Sequence, residues 1–566
     1  MTEQVKSEWA SQEYYNKLQE KPPGVDEKHW VFVTSHLRLP HPLRDSNKAY
    51  LTPSQHKAVQ FRQHWASKIR AQREQVLKLW HFMLIRLESN RVAWRNSLEP
   101  AVRHIIGDFH MPLLEWFITY YNIADVYFPT DASEGLRLFA SLPNSAFWPP
   151  RSKGPKLPTQ DRAQVLAAAK KARQAGKLKL DTKHEQALWD LTGQEAQKHW
   201  LEGPYSEAQV DDRFPAGWAP HLIFGHPEAG KEHGIREITD YTGSSKEGAN
   251  SLFGSSSKVR MPGSPGFIHL AQTASEIFHG DVQFATEDEA HAFKQWARHP
   301  DDRQVGVRHL RNPHTGQIVY FIVNVIDFGP RGAPEQYCRA SRVKVEILNL
   351  ALGLLIDHHV DDYFMFESSA EIEHGRSCLA TLCRLLGTPL KPQKSKSGSA
   401  GIALGIHWDA ADKTLWSQGT AFSAVLPMDK REKYILALSN AIEEKNMSPG
   451  VASKIAGQIG HVSYAVWQQN GRAFLGPLYA RAHGQDNAQP WSPALNFACL
   501  NLIESLRDSF PRRVPRVNYH RRRAWLYSDA RGRANPLTSS SDELEATWGK
   551  EYIGMWMILE GEAVPY

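Results

Sequence analysis

The stretch Leu354-Leu-Ile-Asp-His-His-Val-Asp-Asp-Tyr-Phe-Met-Phe-Glu367 constrains this chain more than any other. It reads as two short strands joined at the carboxylate pair Asp361-Asp362. Acidic residues at the tip of an otherwise apolar hairpin are placed for exposure. Helical patterns flank it. Pro334 sits at a helix start, where its missing N–H costs nothing, and that pattern runs to about Leu352. A second helix, from about Glu371 to Leu386, puts Leu379, Leu382, Cys383 and Leu386 on one face before Gly387 and Pro389 end it. Further on, Ile402 to Trp408, a turn at Asp409 to Asp412, and Thr414 to Trp416 read as another hairpin. Mixed helices and short strands make this an α/β (α+β) chain.

At 566 residues the chain exceeds one ordinary hydrophobic core, so two to four domains are expected. No apolar run approaches the roughly 18 residues of a membrane span, and the N-terminus is polar and mixed in charge, unlike a signal peptide. Cys338, Cys378, Cys383 and Cys499 offer neither a disulfide framework nor a C-x-x-C zinc pair. A reduced, intracellular setting, cytoplasm or nucleus, is the expectation, with no membrane partner. The net charge of +6 is compatible with a polyanionic partner. Lysines and arginines cluster at Lys170, Lys171, Arg173, Lys177 and Lys179, and again at Arg512, Arg513, Arg516, Arg521, Arg522 and Arg523. Taken alone, either run reads as a solvated face or linker.

Residues 1–150 read as a helical region without visible chemistry, including a run from Gln72 to Leu87. Residues 151–204 read as a basic linker and helix, with Arg151 to Pro158 as linker and Asp161 to Gln174 as helix. Gly and Ser dominate from Gly243 to Gly266, which reads as a loop.

Nucleotidyl transfer with two metal ions needs carboxylates on neighbouring strands pointing to one spot. Asp361 and Asp362 are one source; Asp288, 73 residues earlier (361 − 288), is another. Alone, an Asp-Asp pair reads as a surface turn, and Asp288 between Glu287 and Glu289 reads as a solvated acidic patch. Two rival signatures fall short. Gly225 to Lys231 fits G-x-x-x-x-G-K, but Glu232 stands where a magnesium-binding Ser or Thr belongs, so a hairpin turn explains it better. Asp357-His358-His359 resembles a manganese phosphoesterase signature without the upstream D-x-D cluster.

From about Trp200 to Glu562 the ordered motifs resemble the reverse transcriptases of retroelements. Arg236-Glu-Ile-Thr-Asp240, with Asn250 after it, looks like the fingers motif. Asp288 followed by Ala292-Phe293-Lys294-Gln295 matches "D, four residues, aromatic". Phe328 to Pro334 resembles the Gly-containing loop that opens a helix, and Val360-Asp361-Asp362 the metal-binding hairpin. Leu386 to Lys394, Leu404-Gly405-Ile406, Lys454 to His461 and Gly471 to Tyr479 look like the segments that follow in the palm, primer grip, thumb and connection. Leu526 to Ala530 resembles the opening strand of a ribonuclease H fold, with Glu560 31 residues beyond Asp529 (560 − 529).

The resemblance implies a right-hand polymerase: fingers and palm over 205–420, thumb and connection over 421–520, and a partial, inactive ribonuclease H-like segment over 521–566 containing Asp529 and Glu560. It implies RNA-directed DNA synthesis from dNTPs on a primed RNA or DNA template, with two Mg2+ (or Mn2+) ions held by Asp288, Asp361 and Asp362. Lys394 would give a proton to pyrophosphate. Arg236 would meet the triphosphate, Phe293 would crowd a 2′-hydroxyl, and Ala292 and Gly329 would line the nucleotide site. Leu404, Gly405, Lys454, Arg521, Arg522 and Arg523 would contact primer and template. The sequence departs from the family in having His359 where an aromatic residue is usual, and Glu on both sides of Asp288. The competing reading is a catalytically inactive, domesticated nucleic-acid-binding relic.

Overall fold

The structure, a computed structural model, describes residues 51–566 except 143–144, 229, 231, 244–247, 468–473, 486–489, 508–510, 517–523, 531–552, 560–561 and 566. Arg521, Arg522, Arg523 and Glu560 therefore lie outside the described residues. In chain order the elements that position the site begin with two helices, α1 (Pro53–Trp65) and α2 (Ile69–Arg86). Next come β1 (Leu201–Tyr205), β2 (Pro220–Pro227), β3 (Ile235–Thr239), α3 (Gly263–Ile277) and β4 (Val282–Asp288). After β5 (Val307–Arg311) and β6 (Ile318–Val323), helix α4 (Ala333–Leu352) leads into β7 (Leu355–His359) and β8 (Asp362–Ser368). Then follow α5 (Ile372–Leu386), β9 (Lys396–Gly398), β10 (Ala400–Ala403), β11 (Ile406–Asp409) and β12 (Thr420–Val425). The helices α6 (Met428–Glu443), α7 (Pro449–Trp467) and α8 (Pro493–Arg507), and strand β13 (Arg512–Pro515), come last.

A four-stranded antiparallel sheet of order β9-β4-β8-β7 forms the centre. Side chains alternate along its strands. One face carries Ala285, Ile356, Tyr363 and Met365 against Cys338, Val345, Leu379 and Leu382 of α4 and α5. The other carries Phe284, Leu355, Phe364 and Phe366 against Phe267 of α3 and Trp408 of β11. Both faces are buried, which is why β7 and β8 read as near-continuous apolar runs. A five-stranded sheet, β1-β6-β5-β2-β3, stands apart from it, and the second four-stranded sheet, β10-β11-β12-β13, packs with α6, α7 and α8 into the Phe364 side of the core. The C-terminal strands Ala524–Ala530, Ile553–Leu559 and Glu562–Pro565 pair antiparallel in sequence order, and Asp529 lies on the first. Among the described residues no helix is long and apolar enough to cross a membrane, and all four cysteines are buried and free.

Three expectations need correction. The second hairpin is tighter and earlier than its sequence indicated: β10 and β11 turn at Leu404-Gly405, both with positive φ (52° and 74°), as a two-residue turn requires. Thr414 to Trp416 is helical, because Asp412 caps the short helix Lys413–Ser417 by accepting from Thr414 N. The Arg151–Pro158 "linker" is bonded along its length to the Gly/Ser loop. Arg151 N donates to Ser256 O (2.9 Å), and Lys156 and Ser255 exchange backbone bonds of 2.8 Å in both directions. Glu287 and Glu289, read as a solvated patch, are buried.

The N-terminal helices are part of this core. Thr52 starts α1 with a capping box, and Gly353, where φ is +58°, lets the Phe61 ring approach so closely that a Cβ would sit 2.5 Å from it. Gln55 Nε2 donates to Asp357 Oδ2 (2.8 Å), opposite Arg342 Nη1 at 3.1 Å. Arg62 donates both Nη atoms to Glu367 (2.6 Å each), and Arg73 Nη2 adds a third bond of 2.6 Å; all three side chains are buried. Removing the anion from such a group strands two buried guanidinium ions. Glu367→Gln is expected to lower unfolding free energy by about 3–5 kcal/mol, read by urea denaturation. A loss under about 1 kcal/mol would show that α1 and α2 are not anchored to β8 through this group.

Candidate active site

Strand register brings the first two carboxylates together: Asp362 is the direct cross-strand partner of Asp288. Period-two alternation puts both on the Phe364 face of the sheet. His359 pairs with Asp362 on the other side of β8, leaving Val360-Asp361 as a two-residue loop. Val360 has φ of 59°, a conformation a β-branched residue rarely adopts, worth roughly 1–3 kcal/mol of local strain. Two contacts hold the turn: Val360 N meets Met261 Sδ at 3.4 Å, and Cys338 Sγ meets the same sulfur at 3.9 Å.

The flanking glutamates leave this face. Glu289 accepts from Tyr337 Oη (2.8 Å), Tyr363 Oη and Lys344 Nζ. Glu287 accepts from Arg376 Nε (2.7 Å) and Ser395 Oγ (2.6 Å). Their side chains are thus partnered on the helix-covered side, while the Glu289 charge still acts on Asp361. Tyr337 and Lys344 stand two helical turns apart on one face of α4, a spacing visible in the sequence once Glu289 is known to need partners. Met261 carried no such signal.

Burial first, then Asp362, Asp288 and Glu289, push the Asp361 carboxyl up to about 6. Asp362 is also raised, by desolvation and then Asp288, with Lys394 opposing. Lys394 closes the single turn Pro392–Lys394 and bonds Asp288 Oδ2, which raises its own pKa. Asp288, Asp361, Asp362 and Lys394 thus form one electrostatic unit.

These residues suit a divalent cation by donor type and charge. Magnesium commonly takes one or two carboxylates and completes its octahedron with phosphate and water oxygens. Among the described residues no three His, Cys, Asp or Glu side chains converge into a ready-made cage. Asp361 and Asp362 nonetheless have raised pKa values, so a cation beside them would relieve their repulsion.

The other expected residues fall into separate groups. Ala292 and Phe293 lie in the turn Ala292–Gln295 and are buried. Phe293, only 3% exposed, stacks on Tyr337 (4.4 Å) and packs against Phe328 (4.8 Å), and it is Phe328 that reaches the surface, at 44%. Gly329 has φ of +121° and touches Thr239 O so closely that a Cβ would lie 2.5 Å away; its own carbonyl accepts from Asn250 Nδ2 (3.0 Å). Arg236, on the β2–β3 hairpin, pairs with Glu228 (2.6 Å). Leu404 O meets His461 Nε2 at 3.0 Å, Gly405 O accepts from Lys430 Nζ at 3.2 Å, and Lys454 is exposed on α7, the helix that carries His461. The His359 and His461 rings lie 6.5 Å apart, a neighbourhood the sequence did not reveal. Arg516 is engaged by Glu276 (3.4 Å) and lies over Trp416 (3.5 Å), so part of the C-terminal arginine run is structural.

No family model and no curated protein matches the chain. Among solved structures it is similar to the foamy viral protease-reverse transcriptase dRH in complex with double-stranded DNA. There the identity is 12% and the TM-score 0.40, over 85% of this chain and 66% of that one. The foamy viral protease-reverse transcriptase with an RNA/DNA hybrid gives 11% and 0.37 over 75% and 46%, and with double-stranded DNA 11% and 0.39 over 85% and 79%. These are distant likenesses, and the site's chemistry is read from its own residues.

An acid whose folded pKa is raised is protonated in the folded chain where the unfolded chain is not. Between the ordinary value of 3.8 and about 6, Asp361 therefore stabilises the fold through its proton. That contribution is complete below the unfolded value and is lost as pH rises through about 6. Metal-free Asp361→Asn is expected to melt higher than wild type at pH 8, with the gap closing toward pH 4. Thermal unfolding across that range is the measurement, and equal midpoints at pH 8 would sink the electrostatic account.

Proposed function

We propose that this chain is an RNA-directed DNA polymerase of retrotransposon-like type, extending a primer 3′-hydroxyl with dNTPs on an RNA or DNA template. The observation that carries the reading is the cross-strand pairing of Asp288 with Asp362 beside the strained Val360-Asp361 turn. The strand register pairs two of the carboxylates and the adjoining hairpin tip carries the third, an arrangement that supports a two-metal nucleotidyl-transfer reading. Asp288, Asp361 and Asp362 would hold two Mg2+ or Mn2+ ions, which when bound supply activation of the 3′-hydroxyl and neutralisation of the triphosphate. Lys394, kept protonated beside Asp288, would give a proton to the leaving pyrophosphate. Arg236 would meet the triphosphate, with Gly329 and Ala292 shaping the nucleotide site. Leu404, Gly405 and Lys454 would hold primer and template. The strand bearing Asp529 would belong to a partial, inactive ribonuclease H-like segment.

Ribose selection is assigned to the Phe293–Phe328 pair. Phe293 has little free surface and sets the position of Phe328, whose ring remains open. Phe328→Val is expected to admit ribonucleotides as readily as Phe293→Val does, in primer extension with each nucleotide set. Admission by Phe293→Val alone would place the gate on Phe293 itself.

The deciding experiment is primer extension by the full chain with Mg2+. Wild type should extend, while Asp288→Asn and Asp361→Asn should each lose at least about 100-fold in rate and retain duplex binding. Binding without extension by the wild type would leave a nucleic-acid-binding module, the reading favoured by a Lys394–Asp288 pair that never opens.

A further inference from the structure

The segment 149–160 is tied to the loop 251–258 by more than the bonds already described. Lys258 N donates to Pro149 O (3.1 Å), Gly254 N to Ala140 O (3.1 Å) and Thr159 N to Ser251 O (2.8 Å). This fixed scaffold carries Arg151, Lys153, Lys156, Lys258 and Arg260, and Arg331 stands beside it at the mouth of α4. Among the described residues none of these six makes an ion pair. Three of them are close enough to repel: burial first, then Arg331 and Arg151, lower the Lys156 pKa. Arg151 Nε is buried without a hydrogen-bond partner. Glu335, the carboxylate that Arg151 feels, accepts from Ser255 Oγ (2.7 Å) and has its pKa raised by burial. Arg151 thus has Glu335 near it and Lys156 lies over the Phe253 ring (5.0 Å), while Lys153, Lys258, Arg260 and Arg331 stand exposed. A surface that gathers cations in this way suits an external anion.

Two features give that anion extent and direction. The residue after Arg260 is Met261, whose sulfur contacts the Val360 amide in the Asp361 turn, so the end of the basic loop adjoins the carboxylate turn. An exposed apolar group lies among the cations, Leu157 at 71%. A basic track with an open apolar face suits a strand whose bases are unpaired.

We propose that segment 149–160, loop 254–261 and Arg331 form a binding surface for the phosphates of an unpaired nucleic-acid strand, running to the Asp361 turn. It rests on the polymerase reading only for its direction, as the track of template not yet copied. The test uses the full chain and a labelled single-stranded oligodeoxynucleotide longer than the roughly 4–16 nucleotides of such a site, followed by anisotropy across a salt series. Lys153→Ala/Lys258→Ala/Arg260→Ala removes three exposed charges. It is expected to weaken binding about 10-fold and to reduce the salt slope by about 0.7 for each phosphate that is no longer neutralised. Lys153→Arg/Lys258→Arg should preserve both. Unchanged affinity and slope, or no single-strand binding by wild type, would overturn the proposal. So would a raised KM for dNTP with intact strand binding, which would make the surface a triphosphate site. A wild type that binds the single strand and loses it in the triple variant, yet never extends a primer, would overturn the polymerase reading and leave this surface standing.

Discussion

Everything at the centre of this molecule depends on how three consecutive carboxylates, Glu287, Asp288 and Glu289, are kept apart at the end of one buried strand. Ionised carboxylates taken from water are costly unless each has a partner. The pleat of β4 divides them. Glu287 and Glu289 turn toward α4 and α5, where Arg376, Lys344 and two tyrosine hydroxyls meet them. Asp288 is left on the opposite face with Asp362 beside it. A one-residue slip of β4 would aim Asp288 at those cations and crowd both glutamates against Asp362. The register that satisfies the glutamates is the register that builds the site.

The same device secures the rest of the carboxylate hairpin. Glu367, near the far end of β8, is held by Arg62 and Arg73, and Asp357 of β7 by Gln55 and Arg342. Beyond β4, Lys294 joins Glu195 and Glu237, and Arg308 continues from Glu195 to Asp327, which Arg298 also binds. This buried chain of charges couples the segment after Asp288 to the five-stranded sheet. Charged groups fixed by several neighbours leave little freedom to the backbone that carries them, which suits a site whose carboxylates must meet ligands within narrow tolerance. Helices α1 and α2 thereby acquire a role that their own sequence did not advertise.

Local signals served well where local physics decides. The apolar run with a charged tip became β7, the Val360-Asp361 loop and β8. Pro334 and Gly387 marked a helix start and a helix end within a residue or two. Local signals failed where a partner distant in sequence decides. Arg151 to Pro158 has the composition of a linker, yet its backbone groups find Ser255 and Ser256 about a hundred residues on. Three acidic residues in a row look solvated until the cations that neutralise two of them arrive on other elements.

By itself, then, the sequence determined the hairpin and its flanking helices, because strand and helix periods and turn residues act over a few positions. Asp288, Asp361 and Asp362 became candidates only through the resemblance carried by the ordered motifs around them. Only the tertiary structure decided that Asp288 faces Asp362, that Glu287 and Glu289 do not, and that Phe328 is the open ring of its pair. It also decided that the basic residues of two loops share one surface. Each of these is a relation across strands or between loops, set by which register lets every buried charge find a counterion.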